Sequence, residues 1–368
     1  MIVKRLYLDN FLSYEKTRVD FYNGLNVIKG KNAVGKTNLL DAIYYASIGK
    51  SARNTKDKDL IRWGKDQLRL KVEVEKKHLR SVIEIAISPT GKYILIDSLP
   101  ISRLGELMGV LHVVFFSPNE MKLIKESPVD RRRFLDISLS QQSKTYFYTL
   151  IKYNKLLQQR NKLLKEYKDK PSLDDMLAVV EKSILPCVEF IVKNRKQFVE
   201  NLVPFAKEQH RLLTRGKEQL DISYETEEFD FDDIKGSMAR IYKESLEKDK
   251  KLEYTSRGVH RDDLRIVADG IDIRKFGSQG QQRTAVLSLK LAELFMLKES
   301  LGEYPVLLLD DVLSELDLFR QKALLKAVQP LQTILTCTEF DSRLVDYQYA
   351  ELNIQNSKIS AMEINNAK

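Results

Sequence analysis

LNVIKGKNAVGKTNLL, residues Leu25 to Leu40, decides how the rest of the chain is read. Within it Gly30-Lys31-Asn32-Ala33-Val34-Gly35-Lys36-Thr37 fits G-x-x-x-x-G-K-[ST], a phosphate-binding loop. The flanks suit that motif. Leu25, Val27 and Ile28 read as a buried strand, and Thr37 to Ile48 carries Leu40, Ile43, Tyr44, Ser47 and Ile48 at helical spacing. Gly30 and Gly35 let successive backbone N–H groups turn toward phosphate oxygens, and the following helix aims its positive end at the same anion. Lys36 is expected to reach the β and γ phosphates, the Thr37 hydroxyl to ligate Mg²⁺, and Asn38 to complete the loop. The stretch therefore predicts binding of a nucleoside triphosphate.

Working outward, the chain of 368 residues is long enough for two or three structural units. Its formal charge of +9 suggests a polyanionic partner. Cys187 and Cys337 are the two cysteines, too few for a disulfide scaffold or a cysteine-rich zinc site, and they fit a reducing compartment. The opening MIVKRLYLDN lacks the apolar core of a signal peptide, and no stretch approaches a membrane span of ~20 apolar residues. A cytoplasmic location without membrane attachment is expected.

Residues 1–29 read as strands broken by Asp9-Asn10 and Tyr22-Asn23-Gly24. Leu68 to Val74, Ser81 to Ile87 and Lys92 to Ile96 read as an antiparallel meander, and Val110 to Phe116 as a further apolar strand. From Asp130 to Arg211 the sequence is helical and charged. Tyr146, Leu150, Tyr153, Leu157, Leu164 and Tyr167 form one seam, interrupted at Arg160, and Asp169-Lys170-Pro171 breaks it. Leu177, Val180, Ile184, Cys187, Ile191 and Phe198 continue on a second helix, with kinks expected at Pro186 and Pro204. This predicts an antiparallel helical hairpin about 45 Å long, closed by a third helix over 231–250. Beyond it come a hairpin around Asp269-Gly270, a long helix from Gly280 to Lys298, a strand over Tyr304 to Leu309, a helix over Phe319 to Val328 and a strand over Thr333 to Cys337. The expected division is 1–128, 129–252 for the helical arm, and 253–368.

Val306 to Leu309 followed by Asp310-Asp311 is the partner a phosphate loop needs. A buried strand ending in a carboxylate brings Asp310 beside Thr37, where it can hold Mg²⁺. Asp311 can orient the attacking water or accept its proton. Phe276-Gly277-Ser278-Gln279-Gly280-Gln281-Gln282-Arg283 opens the long helix as a second anion-binding surface, surplus to one chain unless it closes over another subunit's nucleotide.

Taken together, GKNAVGKT, FGSQGQQR and LLLDDVLSELD resemble the ATP-binding cassette (ABC) ATPases, with Walker A, signature, Walker B and D-loop in order. LYLDNFLSYEKTRVDF resembles the opening of their SMC-like branch. DLIRWG, SPNEMKLIKESPVDRRRFLD, GVHRDDL and SQGQQRTAVLSLKLAE narrow the resemblance to the RecF family. It implies an α/β fold, an ABC-type head with a mixed Walker A/B sheet and an antiparallel meander, into which a helical hairpin domain is inserted. It also implies ATP and Mg²⁺ as cofactors, with Gly30 through Asn38 on the nucleotide, Lys36 and Asp311 catalytic, and Thr37 and Asp310 on the metal. Ser278, Gln279 and Gly280 would meet the γ-phosphate held by a second subunit, with Asp317 at that interface. ATP would then drive a homodimer that binds gapped or junction double-stranded DNA without sequence preference. Weak DNA-stimulated hydrolysis would follow, and RecR-like and RecO-like partners would help load RecA during gap repair, replication restart and the response to DNA damage.

Three features depart from the general ABC pattern. Asp311 stands where many relatives carry glutamate, Thr336-Cys337-Thr338 where a switch histidine is usual, and no Q-loop glutamine follows Val110 to Phe116. A shorter base fits a slow ATPase used as a timer. For the DNA surface, Lys50, Arg53, Lys56 and Lys58 together with Arg131-Arg132-Arg133 are the expected backbone-contacting groups. The rival reading is the ATPase subunit of a transporter, a class that normally lacks a helical hairpin of this length and works through a membrane partner.

Overall fold

The computed structural model describes residues 1–77, 79–167 and 170–366. The chain folds as two compact units. One comprises Met1–Glu120, Glu208–Glu218 and Thr284–Lys368, the other Met121–Lys207 and Gln219–Arg283.

In the first unit the alternating sequences of residues 2–100 build a six-stranded antiparallel sheet. Ile2–Phe11 lies between Tyr14–Asp20 and Leu68–Glu75, and Arg80–Ser88, Gly91–Ile96 and Leu99–Pro100 follow outward. The continuously apolar runs go instead to a mainly parallel sheet. Its strands stand in the order Val113–Phe116, Val306–Asp310, Thr333–Cys337, Leu25–Lys29, Tyr349–Gln355. Strands buried on both faces need no polar alternation, and Val306–Asp310 and Thr333–Cys337 are buried at every position. The side chain of Gln332 ties the two sheets together. It accepts from the Val3 N–H at 2.7 Å and donates to the Val3 and Tyr22 carbonyls, each at 2.8 Å.

The helix after the phosphate loop, Lys36–Ile48, is encased rather than merely amphipathic. Leu39 through Ile48 are all buried, so the expected seam is part of a helix apolar nearly all round. It ends at Gly49, whose φ of 69° is the left-handed conformation glycine adopts without strain and whose N–H caps the Tyr45 carbonyl.

The second unit is built on Pro128–Gln142, Lys144–Glu166, most of Leu173–Thr214 and Ile234–Leu252. The two long helices run antiparallel, since Tyr146 meets Arg195 while Arg160, further along, meets Glu181. Two expectations change here. Leu173–Thr214 continues through Pro186 and Pro204 as one 42-residue helix, about 63 Å at 1.5 Å per residue rather than about 45 Å. Buried Val188, Ile191, Phe198, Val199 and Leu202 hold it along the stretch between the prolines. Arg160 does not interrupt the first seam but continues it, fully buried, donating to Asp249 at 2.8 Å and Glu181 at 2.9 Å. Asp169 of the expected break lies outside the described residues.

A three-stranded antiparallel sheet completes this unit, with Asp263–Ala268 between Leu220–Glu225 and Ile271–Asp272. Asp269 and Gly270 form the expected two-residue turn, both at positive φ. Residues 219–283, the signature loop included, group with the helices.

Candidate nucleotide-binding site

Parallel strands deliver their carboxyl ends to one edge of a sheet, and the loops that follow gather there. Leu25–Lys29 and Val306–Asp310 stand one strand apart on either side of Thr333–Cys337, with Asp310 in register with Thr336 and Thr336 with Ile28. The phosphate loop leaves the first strand and Asp310 ends the second. The Thr37 hydroxyl accordingly donates to Asp310 Oδ1 at 3.0 Å, and the Thr336 hydroxyl to the same oxygen at 2.7 Å. Burial pushes the Asp310 carboxyl above its ordinary range, the two hydroxyls pull it back, and neighbouring Asp311 opposes its charge.

The loop itself is held from behind. Gly35 sits at φ 109°, and a Cβ there would stand 2.8 Å from Ser13 Oγ, while one at Gly30 would stand 2.7 Å from the Ile354 carbonyl oxygen. Neither position admits a side chain without rearrangement. Tyr14, fully buried, donates its hydroxyl to the Gly35 carbonyl at 3.0 Å. Lys36 Nζ curls over the loop onto the carbonyls of Gly30 at 2.5 Å and Lys31 at 3.0 Å. Lys31, Asn32 and Ala33 form its exposed rim, and Val34 is half-buried.

Asn38 donates to Ser13 Oγ at 3.0 Å and accepts from Arg53 at 2.8 Å, and Arg53 also lies 3.5 Å from the buried Asp41. Arg53, Ser13, Tyr14 and Thr336 are thus site residues that the motif alone did not assign. Arg53 belongs to the basic stretch read as a DNA surface, yet it turns back onto the phosphate-loop helix. Asp311 stands at φ 52°, half-buried, with its N–H shared between the Thr336 carbonyl and hydroxyl, both at 3.1 Å.

The donor set fits Mg²⁺. A hydroxyl and a carboxylate 3.0 Å apart are hard oxygen ligands, and the buried acid carries no ion pair among the described residues. No cluster of three or more His, Cys, Asp or Glu among the described residues forms a self-sufficient metal cage. An ion held by one carboxylate and one hydroxyl takes its remaining ligands from water and phosphate.

In the second unit, Ser278, Gln279 and Gly280 are exposed at the start of the helix Gln279–Leu301. Ser278 and Gln281 cap each other, the Ser278 N–H donating to Gln281 Oε1 at 3.0 Å and the Gln281 N–H to Ser278 Oγ at 3.2 Å. Asp317, in the first unit, caps the helix Leu318–Ala327 through the Arg320 N–H at 2.9 Å.

Arg131 and Arg132, both expected on DNA, are used internally. Arg131 is buried against Asp263 in a two-pronged pair, and Arg132 donates to the Asp262 carbonyl at 2.6 Å. The HRDD run has an internal role as well. Asp262 accepts from Arg195 at 2.6 Å, from Thr226 at 2.6 Å and from Tyr224. His260 Nε2 lies 3.0 Å from the Thr255 carbonyl and Nδ1 2.7 Å from the Tyr153 hydroxyl. A carbonyl only accepts, so the neutral ring carries its proton on Nε2, and Nδ1 accepts a hydrogen bond from the Tyr153 hydroxyl. Among the described residues, no helix is long and apolar enough to cross a membrane.

Comparison with known proteins agrees with this geometry. A model described as an AAA domain matches residues 5–366. DNA replication and repair protein RecF of Clostridium kluyveri is 46% identical over 93% of this chain and 94% of its own. That of Clostridium botulinum is 42% identical over 98% and 99%. A solved structure of the recombination mediator protein RecF–ATP in the RecFOR pathway superposes with a TM-score of 0.89 at 34% identity, covering 99% of this chain and 97% of that one. An Smc head bound to the winged-helix domain of ScpA, at 16% identity and a TM-score of 0.59, shares the fold. The chain belongs to the RecF family of DNA replication and repair proteins, built on an ABC-type ATPase head.

Proposed function

We propose that this protein is an ATP-gated DNA-binding mediator of recombination, in which ATP closes two copies into a homodimer that grips gapped or junction double-stranded DNA. The observation that carries the reading is the Thr37–Asp310 contact at 3.0 Å, which joins phosphate loop and acidic strand end into one Mg²⁺-nucleotide site. Gly30 through Asn38 wrap the phosphates, and Lys36 leaves the loop carbonyls for the β and γ oxygens. Asp310 and Thr37 hold the Mg²⁺, which screens phosphate charge when bound. Asp311 orients the attacking water. Ser278, Gln279 and Gly280 are exposed at the start of their helix and act on the nucleotide of the other copy. By motif, residues 1–128 and 253–368 make the head and 129–252 the arm. Hydrolysis is weak, stimulated by DNA, and serves to reset the dimer. RecR-like and RecO-like partners then direct the complex to RecA loading in the cytoplasm, a reading supported by the RecFOR context of the similar solved structure.

Fluorescence anisotropy with labelled duplex DNA tests this. Binding should be tight and salt-sensitive with ATP, and weak with ADP or in Lys36→Met. Ser278→Arg should bind ATP normally but remain monomeric by sedimentation. A dimer that survives Ser278→Arg refutes the trans-acting signature. DNA binding indifferent to nucleotide refutes the gate.

A further inference from the structure

The turn behind the phosphate loop is strained, and it is braced from outside. Between the strands Ile2–Phe11 and Tyr14–Asp20, Asn10 and Leu12 stand at φ 53° and 48°. Asparagine enters that left-handed region readily, but a leucine stays there only where its surroundings over-determine it. The brace is Leu60 to Arg62. The Leu12 N–H donates to the Leu60 carbonyl and the Arg62 N–H to the Asn10 carbonyl, each at 2.8 Å, while Phe11 pairs with Ile61. The Arg62 guanidinium closes it, donating to the Ser13 carbonyl at 2.5 Å. The far end of the brace is fixed to the phosphate-loop helix itself. Asp57 accepts from the Tyr45 hydroxyl at 2.7 Å and pairs with Lys92 at 2.8 Å, and Leu60 is fully buried.

What the brace holds is the back of the loop. A Cβ on Gly35 would stand 2.8 Å from Ser13 Oγ and 3.1 Å from the Tyr14 hydroxyl, so the turn lies directly against the loop. Tyr14 donates to the Gly35 carbonyl, and Ser13 Oγ accepts from Asn38. Gly35 and Asn38 bracket Lys36 and Thr37. Resting on the nucleotide site proposed above, we infer that Arg62 is a positioning residue for ATP binding. Through the Ser13 carbonyl it locks the strained turn, and the turn fixes the residues on either side of Lys36 and Thr37. A loop already held in its binding geometry gives up less conformational freedom when the phosphates arrive.

The guanidinium has a second neighbour, Glu15 at 3.9 Å, but that carboxylate is 65% exposed and worth little. Isothermal titration of the full chain with Mg²⁺ and ATP separates the two contacts. Arg62 is 34% exposed, so Arg62→Ala should fold, and it should bind ATP about tenfold more weakly. Arg62→Lys should recover part of that loss, and Glu15→Gln should bind as wild type does. In a background of Ser13→Ala with Tyr14→Phe, where the turn no longer grips the loop, Arg62→Ala should weaken binding less than about twofold further. Unchanged ATP affinity in Arg62→Ala overturns the inference and leaves the nucleotide site standing. A loss equally large in the ungripped background also overturns it, because Arg62 would then act by a route that bypasses the turn. Failure of wild type to bind ATP overturns the nucleotide site along with it.

Discussion

Asp310 in the parallel-sheet unit and Asp262 in the helical unit are both buried aspartates, 7% and 2% exposed, and they are provisioned in opposite ways. Asp262 is given a complete internal set, with a guanidinium from Arg195 and hydroxyls from Tyr224 and Thr226. Asp310 receives only two neutral hydroxyls, and the pull of Arg53 on it is weaker than that of either. A buried acid completed by a cation from its own chain is architecture. One left with neutral donors alone is provisioned for a cation that arrives with the ligand.

The same substitution at the two positions tests this contrast most severely. Asp262→Asn removes one of the two carboxylates paired with the buried Arg195, leaving Asp136 at 2.9 Å, and should cost about 1.5–3 kcal/mol of stability by urea denaturation. Asp310→Asn removes a carboxylate whose ionisation burial already opposes, so the apo fold should keep its stability within about 0.5 kcal/mol or gain slightly. Mg²⁺-dependent ATP turnover should nevertheless fall about a hundredfold or more. Were Asp310→Asn the variant that unfolds, the contrast would be reversed.

A second test uses pH on the architectural side alone. Burial lowers the His260 pKa from 6.5 to about 4, so the folded unit holds the ring neutral while the unfolded chain protonates it. Stability from this group is complete above pH 6.5 and is lost as pH falls toward 4, up to about 3 kcal/mol. Wild type should lose about that much more than His260→Gln across the window, read as the difference between their urea midpoints. Equal losses would mean that burial does not hold the ring neutral in the folded unit.

What was legible in the sequence follows the same divide. The phosphate loop, Asp310, the meander and the helical seam are local patterns, and each reads from a few consecutive residues. The internal charge pairs do not. Arg160 looks like a fault in its seam because Asp249 lies 89 residues away, and Arg131 looks like part of a DNA-binding run because Asp263 lies 132 residues away. The strand Leu220–Glu225 is six residues long and acquires its meaning only by pairing with Asp263–Ala268. Tyr349–Gln355 does alternate, but its place beside Leu25–Lys29 depends on a partner more than 300 residues earlier. Thr336 stood in the sequence only within the run that replaces a switch histidine, although it is in register with Asp310.

Thr336 therefore offers the smallest and sharpest test of the contrast, because it belongs to a core strand and touches the site. Its hydroxyl donates to Asp310 and accepts from the Asp311 N–H, so it could serve the fold or the acid. In Thr336→Val, Asp310 keeps Thr37 and the Asp311 N–H keeps the Thr336 backbone carbonyl, so no polar group is orphaned. The loss should be about 1 kcal/mol, the net worth of one buried hydrogen bond. If Thr336 serves the site, the variant should also need several times more Mg²⁺ for half-maximal turnover, because losing a donor makes the carboxyl still harder to ionise. Thr336→Ser should restore both properties. A stability loss with unchanged Mg²⁺ dependence would instead place Thr336 with Arg195, on the side of architecture, and leave Thr37 as the hydroxyl that tunes the acid.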